Sequence, residues 1–154
     1  MLSILLVPFM VAIFLAINMG GSGTSPSFSA AYGSDIIRKD LIPSLFGIFV
    51  FLGAIIAGKK VILTIGRGIL PAEAMNFTLT TIILLSISLS LLIANLLGVP
   101  QSTSQSTVFA LVAPAIYYNI LKTNKLLFQI VPTWFILPIC SFIITLFIGK
   151  FIYL

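Results

Sequence analysis

The sequence predicts an all-α integral membrane protein with about five transmembrane helices and two broken or re-entrant segments, in a single membrane domain over residues 1–154. Three observations carry this. Hydrophobic residues fill 60% of the 154 positions and charged residues only 7%, against about 25% charged in soluble domains. Mean hydropathy is +1.25. Apolar runs of the length that crosses hydrocarbon, about 20 residues, follow one another along the chain, and two short polar stretches, near 20–35 and 98–107, interrupt them.

Leu2 to Met19 meets the minimum for a crossing, and with no basic segment before it and no small-residue cleavage site after it, it reads as a retained span. Beyond the polar run Gly20 to Ser27, the stretch Phe28 to Ile37 is short and reads as a half-span or re-entrant arm, bounded by Arg38-Lys39-Asp40. Leu41 to Gly58 is the next crossing, closed by Lys59 and Lys60, with Gly47, Gly53, Ala54 and Ala57 leaving room for a neighbouring helix. Between Val61 and Asn76, the residues Gly66, Arg67, Gly68, Pro71 and Glu73 favour an interfacial segment, with Glu73 facing water. Phe77 to Leu97 is the clearest span. Its hydroxyls at Thr78, Thr80, Thr81, Ser86, Ser88 and Ser90 can bond to preceding carbonyls. After Gly98 and the run Pro100 to Thr107, Val108 to Leu121 forms an arm that Pro114 can kink and that Lys122 and Lys125 end. Leu126 to Leu154 is one long apolar run, with Pro132 and Pro138 as bends and Trp134 as an interface anchor.

Charge excludes several classes of function. The net charge of +5 rests on eight basic residues spread between apolar runs, without the clustered stripe that nucleic acid requires. Arg38, Lys39 and Lys150 fall on one side, and Lys59, Lys60, Arg67, Lys122 and Lys125 on the other. So weak a bias fits a chain that inserts both ways up. Cys140 is the single cysteine, which rules out an internal disulfide and reads as inert packing. The polar breaks hold no Asp, Glu, His, Lys or Arg, so acid-base catalysis and a protein-ligated metal have no groups to use, and neither an enzyme nor a cofactor is expected.

The breaks do offer neutral donors. A break at membrane depth persists only inside protein or beside a wet cavity, and interrupted helices mark the substrate sites of transporters. Freed N–H groups at a helix N-terminus suit a tetrahedral oxyanion. The candidate binding residues are therefore Gly21, Ser22, Gly23, Thr24 and Ser25 from the first segment and Gln101, Ser102, Thr103, Ser104 and Gln105 from the second. Asp35 reads as a boundary charge beside Arg38 and Lys39, and Asn95 and Gln129 as interhelical hydrogen-bonding groups.

At these two segments the chain resembles the inorganic phosphate transporter family, whose members carry a Gly-Ala-Asn-Asp-type segment with a small-residue run and, later, a Pro-Val-Ser-Thr-Thr-His-type segment. The first corresponds to Gly20-Gly21-Ser22-Gly23 running on to Ala31-Tyr32-Gly33-Ser34, and the second to Pro100-Gln101-Ser102-Thr103-Ser104-Gln105. The likeness extends over roughly Leu15 to Tyr118. Ser22 and Gly23 stand where the family has Asn and Asp, and Gln105 where it has His. A protonated phosphate thereby loses acceptors, whereas sulfate needs donors, and the pattern looks closer to the family's sulfate permease branch. The resemblance implies one half of an inverted-repeat transporter: a secondary permease, multi-pass in a prokaryotic inner (plasma) membrane, working by alternating access on sulfate as an antiparallel homodimer. Its coupling ion, proton or sodium, is left open. The alternatives are an inorganic phosphate transporter and a non-transporting interaction subunit.

Overall fold

A computed structural model describes residues 2–122 and 126–153. Lys125, expected to help end the arm after Pro114, lies outside them. Five helices form: α1 (Leu2–Gly33), α2 (Ile42–Gly68), α3 (Phe77–Leu96), α4 (Thr103–Tyr117) and α5 (Val131–Tyr153). Single 3-10 turns at Lys39–Leu41 and Ala72–Ala74 lead into α2 and α3, and a π-helical turn at Leu126–Ile130 leads into α5. Four helical stretches are long and apolar enough to cross a membrane: Leu5–Gly33, Lys39–Leu63, Phe77–Leu96 and Phe128–Ile152. The fifth, α4, has 15 residues. At about 1.5 Å per residue it falls short of the roughly 30 Å of hydrocarbon, so it is the short arm that the second polar segment introduces.

The first polar segment does not break its helix. Residues 20–27 lie within α1, which carries Pro8 and Pro26 inside it and joins the expected span and half-span into 32 continuous residues. Three hydroxyl groups of the segment find partners inside the helix. Ser22 donates to the Met19 carbonyl at 3.2 Å, Thr24 to Gly20 at 2.6 Å and Ser27 to Gly23 at 2.8 Å, so these side chains bond within the helix instead of competing with it. Pro26 has no N–H, and the Ser22 carbonyl one turn earlier receives no helical hydrogen bond from it. At about 48 Å, α1 exceeds the hydrocarbon thickness and must tilt or project.

The second polar segment does break its helix, through a stop signal followed by a start signal. Gly98 has a φ of +67°, Val99 N–H bonds to Ala94 O at 2.9 Å, and Gly98 N–H to Asn95 O at 3.2 Å. This pairing is a Schellman cap. The same pairing ends α4, where Asn119 takes a φ of 54°, and α1, where Asp35 takes a φ of 57°. Every positive-φ residue described is thus a helix cap, and Asp35 lies exposed at the boundary where its charge was expected. Helix α4 then starts at Ser102, whose Oγ accepts the Gln105 N–H. The spacing from Ser102 to Gln105 is that of a capping box.

Packing centres on α3. Ile83, Ile87 and Leu91, at four-residue spacing, face Val108, Leu111 and Ala115 of α4 in a buried cluster. Ile69 and Leu70 complete it, fully buried, and the Lys122 N–H donates to the Ile69 carbonyl at 3.1 Å. The expected interfacial segment therefore starts later than its glycines suggest: α2 runs through Lys59 and Lys60 to Gly68, and the chain beyond it folds into the core. Helix α1 docks on α3 through Asn95, which donates to the Asn18 carbonyl at 3.0 Å, the interhelical role read for Asn95. Gly21 permits this approach, since a Cβ there would lie 3.4 Å from Asn95 Nδ2.

Helix α5 touches this core through Trp134, which stacks 5.7 Å from Phe109 and so serves as a packing residue. The most apolar window of its span is 0% buried, and that of the α2 span 6%. Cys140 of α5 is exposed, contrary to its reading as a packed thiol. Such bare apolar faces suit lipid or a neighbouring protein surface.

Two glycine substitutions separate the two polar segments. Neither Gly20 nor Gly98 has a heavy atom within 4 Å of a built Cβ, so backbone conformation decides the effect. Gly20→Ala is expected to stabilise by about 0.5–1 kcal/mol, because residue 20 is mid-helix, whereas Gly98→Ala is expected to cost about 1–2 kcal/mol for its left-handed backbone. Thermal unfolding in detergent reads both, with opposite signs.

Candidate functional site

Polar groups collect in two clefts that meet at the turn between α3 and α4. The first, of about 350 Å³, lies between those helices and is lined by Ser86, Ser90, Gln101, Ser102, Gln105 and Ser106, with Ile87, Phe109 and Ala110 as its apolar walls. The second, of about 560 Å³, is lined by Gly21, Ser22, Ser25, Pro26 and Ser29 of α1, by Ala94 and Asn95 of α3, and by Gly98, Val99 and Pro100 of the turn. They share no lining residue and adjoin at the Pro100-Gln101 peptide.

Gln101 organises the first cleft. Its Nε2 donates to Ser90 Oγ at 2.7 Å and to Ser106 Oγ at 2.8 Å, while Ser106 spends its own proton on the Ser102 carbonyl at 3.0 Å. Ser106 therefore accepts from the amide, which fixes the amide nitrogen toward the serines. Both Nε2 protons are used inside the chain, and Oε1 has no hydrogen-bond partner among the described residues. What remains for a ligand is the N-terminus of α4. The Thr103 and Ser104 N–H groups sit in its first turn, where no helical carbonyl can reach them, and the helix dipole places partial positive charge there. Ser102 and Ser104 hydroxyls lie 3.4 Å apart beside them.

The expected binding residues divide among these features and a third cleft, while Gly23, Thr103 and Ser104 line none of the three. Gln101, Ser102 and Gln105 line the cleft between α3 and α4; Gly21, Ser22 and Ser25 line the cleft against α1. Thr24 faces the third cleft, with Lys39 and Tyr32. Gly23 is structural, because a Cβ there would sit 2.9 Å from Phe46 Cζ of α2. Since residues 22–25 are helical, their backbone N–H groups belong to the helix, and this segment can offer hydroxyls and the Ser22 carbonyl but not the freed N–H groups expected of it. Ser86, Ser90 and Ser106 were not foreseen as cleft residues. The four-residue spacing of Ser86 and Ser90 on one face of an apolar helix was the available signal.

Comparison with known proteins adds to this geometry. A sequence model described as the phosphate transporter family matches residues 19–154. The chain belongs to the phosphate transporter family. Among curated relatives, the sulfate permease CysP of Bacillus subtilis is 40% identical over 146 residues, which cover 94% of this chain and 41% of that protein. A provisionally named phosphate permease of Mycobacterium tuberculosis is 34% identical over 121 residues, 73% of this chain and 22% of the relative. Another, from Thermococcus kodakarensis, is 29% identical over 154 residues, 95% of this chain and 38% of the relative. The chain thus spans about two fifths or less of these relatives' lengths. No solved structure matches. Permeases are transporters rather than enzymes, and the apolar helices make this family member an integral, multi-pass membrane protein.

The hydrogen bonds of Gln101 give a direct test of the first cleft. Gln101→Leu, which leaves Ser90 and Ser106 without their donor, is expected to cost about 1–3 kcal/mol. Gln105→Leu, whose exposed side chain makes no hydrogen bond among the described residues, stays within about 0.5 kcal/mol of the parent. Equal melting shifts for the two variants in detergent would contradict the assignment.

Proposed function

We propose that this chain forms half of a secondary permease that carries a tetrahedral oxyanion by alternating access, with sulfate preferred. One observation carries the reading: Ser102 and Gln105, at the start of α4, line a cleft furnished with serine hydroxyls, with no carboxylate and no cation in its lining. Neutral donors and a helix dipole can hold a dianion without the tight grip that would prevent its release. Sulfate is fully deprotonated at neutral pH and asks only for donors. The 40% identity to a sulfate permease supports the same choice.

Phosphate is the second reading, favoured by the unpaired Gln101 Oε1. Hydrogen phosphate can donate a proton to that oxygen, whereas sulfate has none to give. In either case the polar clefts need cover, because lipid cannot satisfy them. A second half supplies it, and the bare faces of α2 and α5 offer surface for the contact. An antiparallel homodimer in the prokaryotic inner membrane meets this requirement, with a twofold axis in the membrane plane and the same patch on both copies.

Proteoliposomes containing the purified chain test the permease. Saturable radiolabelled sulfate uptake, competed more strongly by thiosulfate than by phosphate, is the expected outcome. Combining Ser102→Ala with Ser104→Ala should raise KM about 5- to 150-fold, in line with about 0.5–1.5 kcal/mol for each lost hydrogen bond. Absence of uptake under any ion gradient would favour the interaction-subunit reading, and stronger competition by phosphate would reverse the preference.

A further inference from the structure

The third cleft, of about 330 Å³, lies between the C-terminal part of α1 and the start of α2, lined by Thr24, Ser25, Phe28, Ser29, Tyr32, Lys39, Ile42 and Pro43. Two of these residues, Ser25 and Ser29, also line the cleft between α1 and the α3–α4 turn. The two clefts therefore share part of a wall. Ser22, Ser25, Ser29 and Tyr32 recur at the three- and four-residue spacing that puts them on one face of α1, a stripe about 15 Å long.

Three of the hydroxyls on this stripe differ from their neighbours. Ser22, like Thr24, Ser27 and Ser34, donates to a carbonyl three or four residues back, whereas Ser25, Ser29 and Tyr32 make no hydrogen bond among the described residues and keep their protons for another acceptor. At the outer end of the stripe, Arg38 and Asp40 pair at 3.1 Å and cancel each other. Lys39 between them has no acidic partner among the described residues, and no carboxylate lines its cleft. An unneutralised ammonium group at the boundary of an apolar helix thus leads into a row of unused donors, which ends at the cleft beside Pro100.

We propose that Lys39 captures the oxyanion at the mouth of this path and that Tyr32, Ser29 and Ser25 conduct it along α1 toward the α3–α4 turn. This rests on the oxyanion-permease reading and adds to it an entrance that is distinct from the α4 N-terminus. An exposed cation raises the local anion concentration, and its effect is screened by salt. A residue acting so changes KM through encounter and leaves the transport step alone.

Sulfate uptake by Lys39→Gln and Lys39→Arg, in proteoliposomes of the full chain at low and high ionic strength, decides it. Lys39→Gln is expected to raise KM about thirtyfold at low salt, the worth of one unit charge against a dianion near 4 Å in water, with kcat retained. The gap from the parent should close at high salt, and Lys39→Arg should keep the parent KM. An unchanged KM for Lys39→Gln, in a preparation whose parent takes up sulfate, overturns the entrance while leaving the permease standing. A parent without saturable uptake of sulfate or phosphate overturns both. Liposomes of phosphatidylcholine alone make up the last arm, since a Lys39→Gln effect that appears only with anionic lipid present would make Lys39 a headgroup contact and would also overturn the proposal.

Discussion

Hydrocarbon provides no partner for a backbone N–H or C=O group, and this constraint decides where the helices of this chain may end and where they may not. Three helices stop with the same Schellman pairing, at Asp35, Gly98 and Asn119, which returns terminal carbonyls to N–H groups of the turn itself. Where hydroxyls interrupt an apolar helix, as at Ser86, Ser88 and Thr107, each donates to a carbonyl one turn back. Among the described residues, the groups left out of this pairing include the first N–H groups of α4 and the hydroxyls of Ser25, Ser29 and Tyr32, cleft-lining residues of α1.

The same constraint explains which parts of the fold were legible in the sequence. The apolar runs located the five helices, and the second polar segment announced its break with a glycine stop, a proline two residues later and a Ser-x-x-Gln start. The first segment has a similar composition but no such pair of signals. Its hydroxyls at 22, 24 and 27 instead find carbonyls three or four residues back, and the helix continues. Composition measures how many polar groups must be satisfied; spacing decides whether a helix can do so by itself. The burial of Ile69 and Leu70 was hidden for a related reason, because a short run after glycines looks interfacial until the tertiary contact with Lys122 is known.

The candidate site was legible to the extent that a residue's role follows from its place on one helix. Ser102 and Gln105, expected as binding residues, define the start of α4 and line the cleft between α3 and α4. Gln101 was expected as a donor to ligand, but its donors join α3 to α4 across eleven and five residues of sequence, a pairing that no local pattern encodes. The pairing engages the Gln101 amide nitrogen and leaves its Oε1 without a partner among the described residues.

The α3–α4 hairpin sets a helix N-terminus, capped by Ser102 but with the Thr103 and Ser104 N–H groups beyond reach of helical carbonyls, beside one cleft, and α1 with its hydroxyls stands against the other side of the turn. Neutral recognition of this kind suits a carrier, which must release its anion as readily as it binds it. The most direct measurement is the amide resonances of Thr103 and Ser104 in the isotopically labelled chain, followed as sulfate is added and again as chloride is added. Saturable downfield shifts of these two amides with sulfate and not with chloride are predicted; shifts that bypass both, or that chloride reproduces, would contradict the placement of the oxyanion at the start of α4.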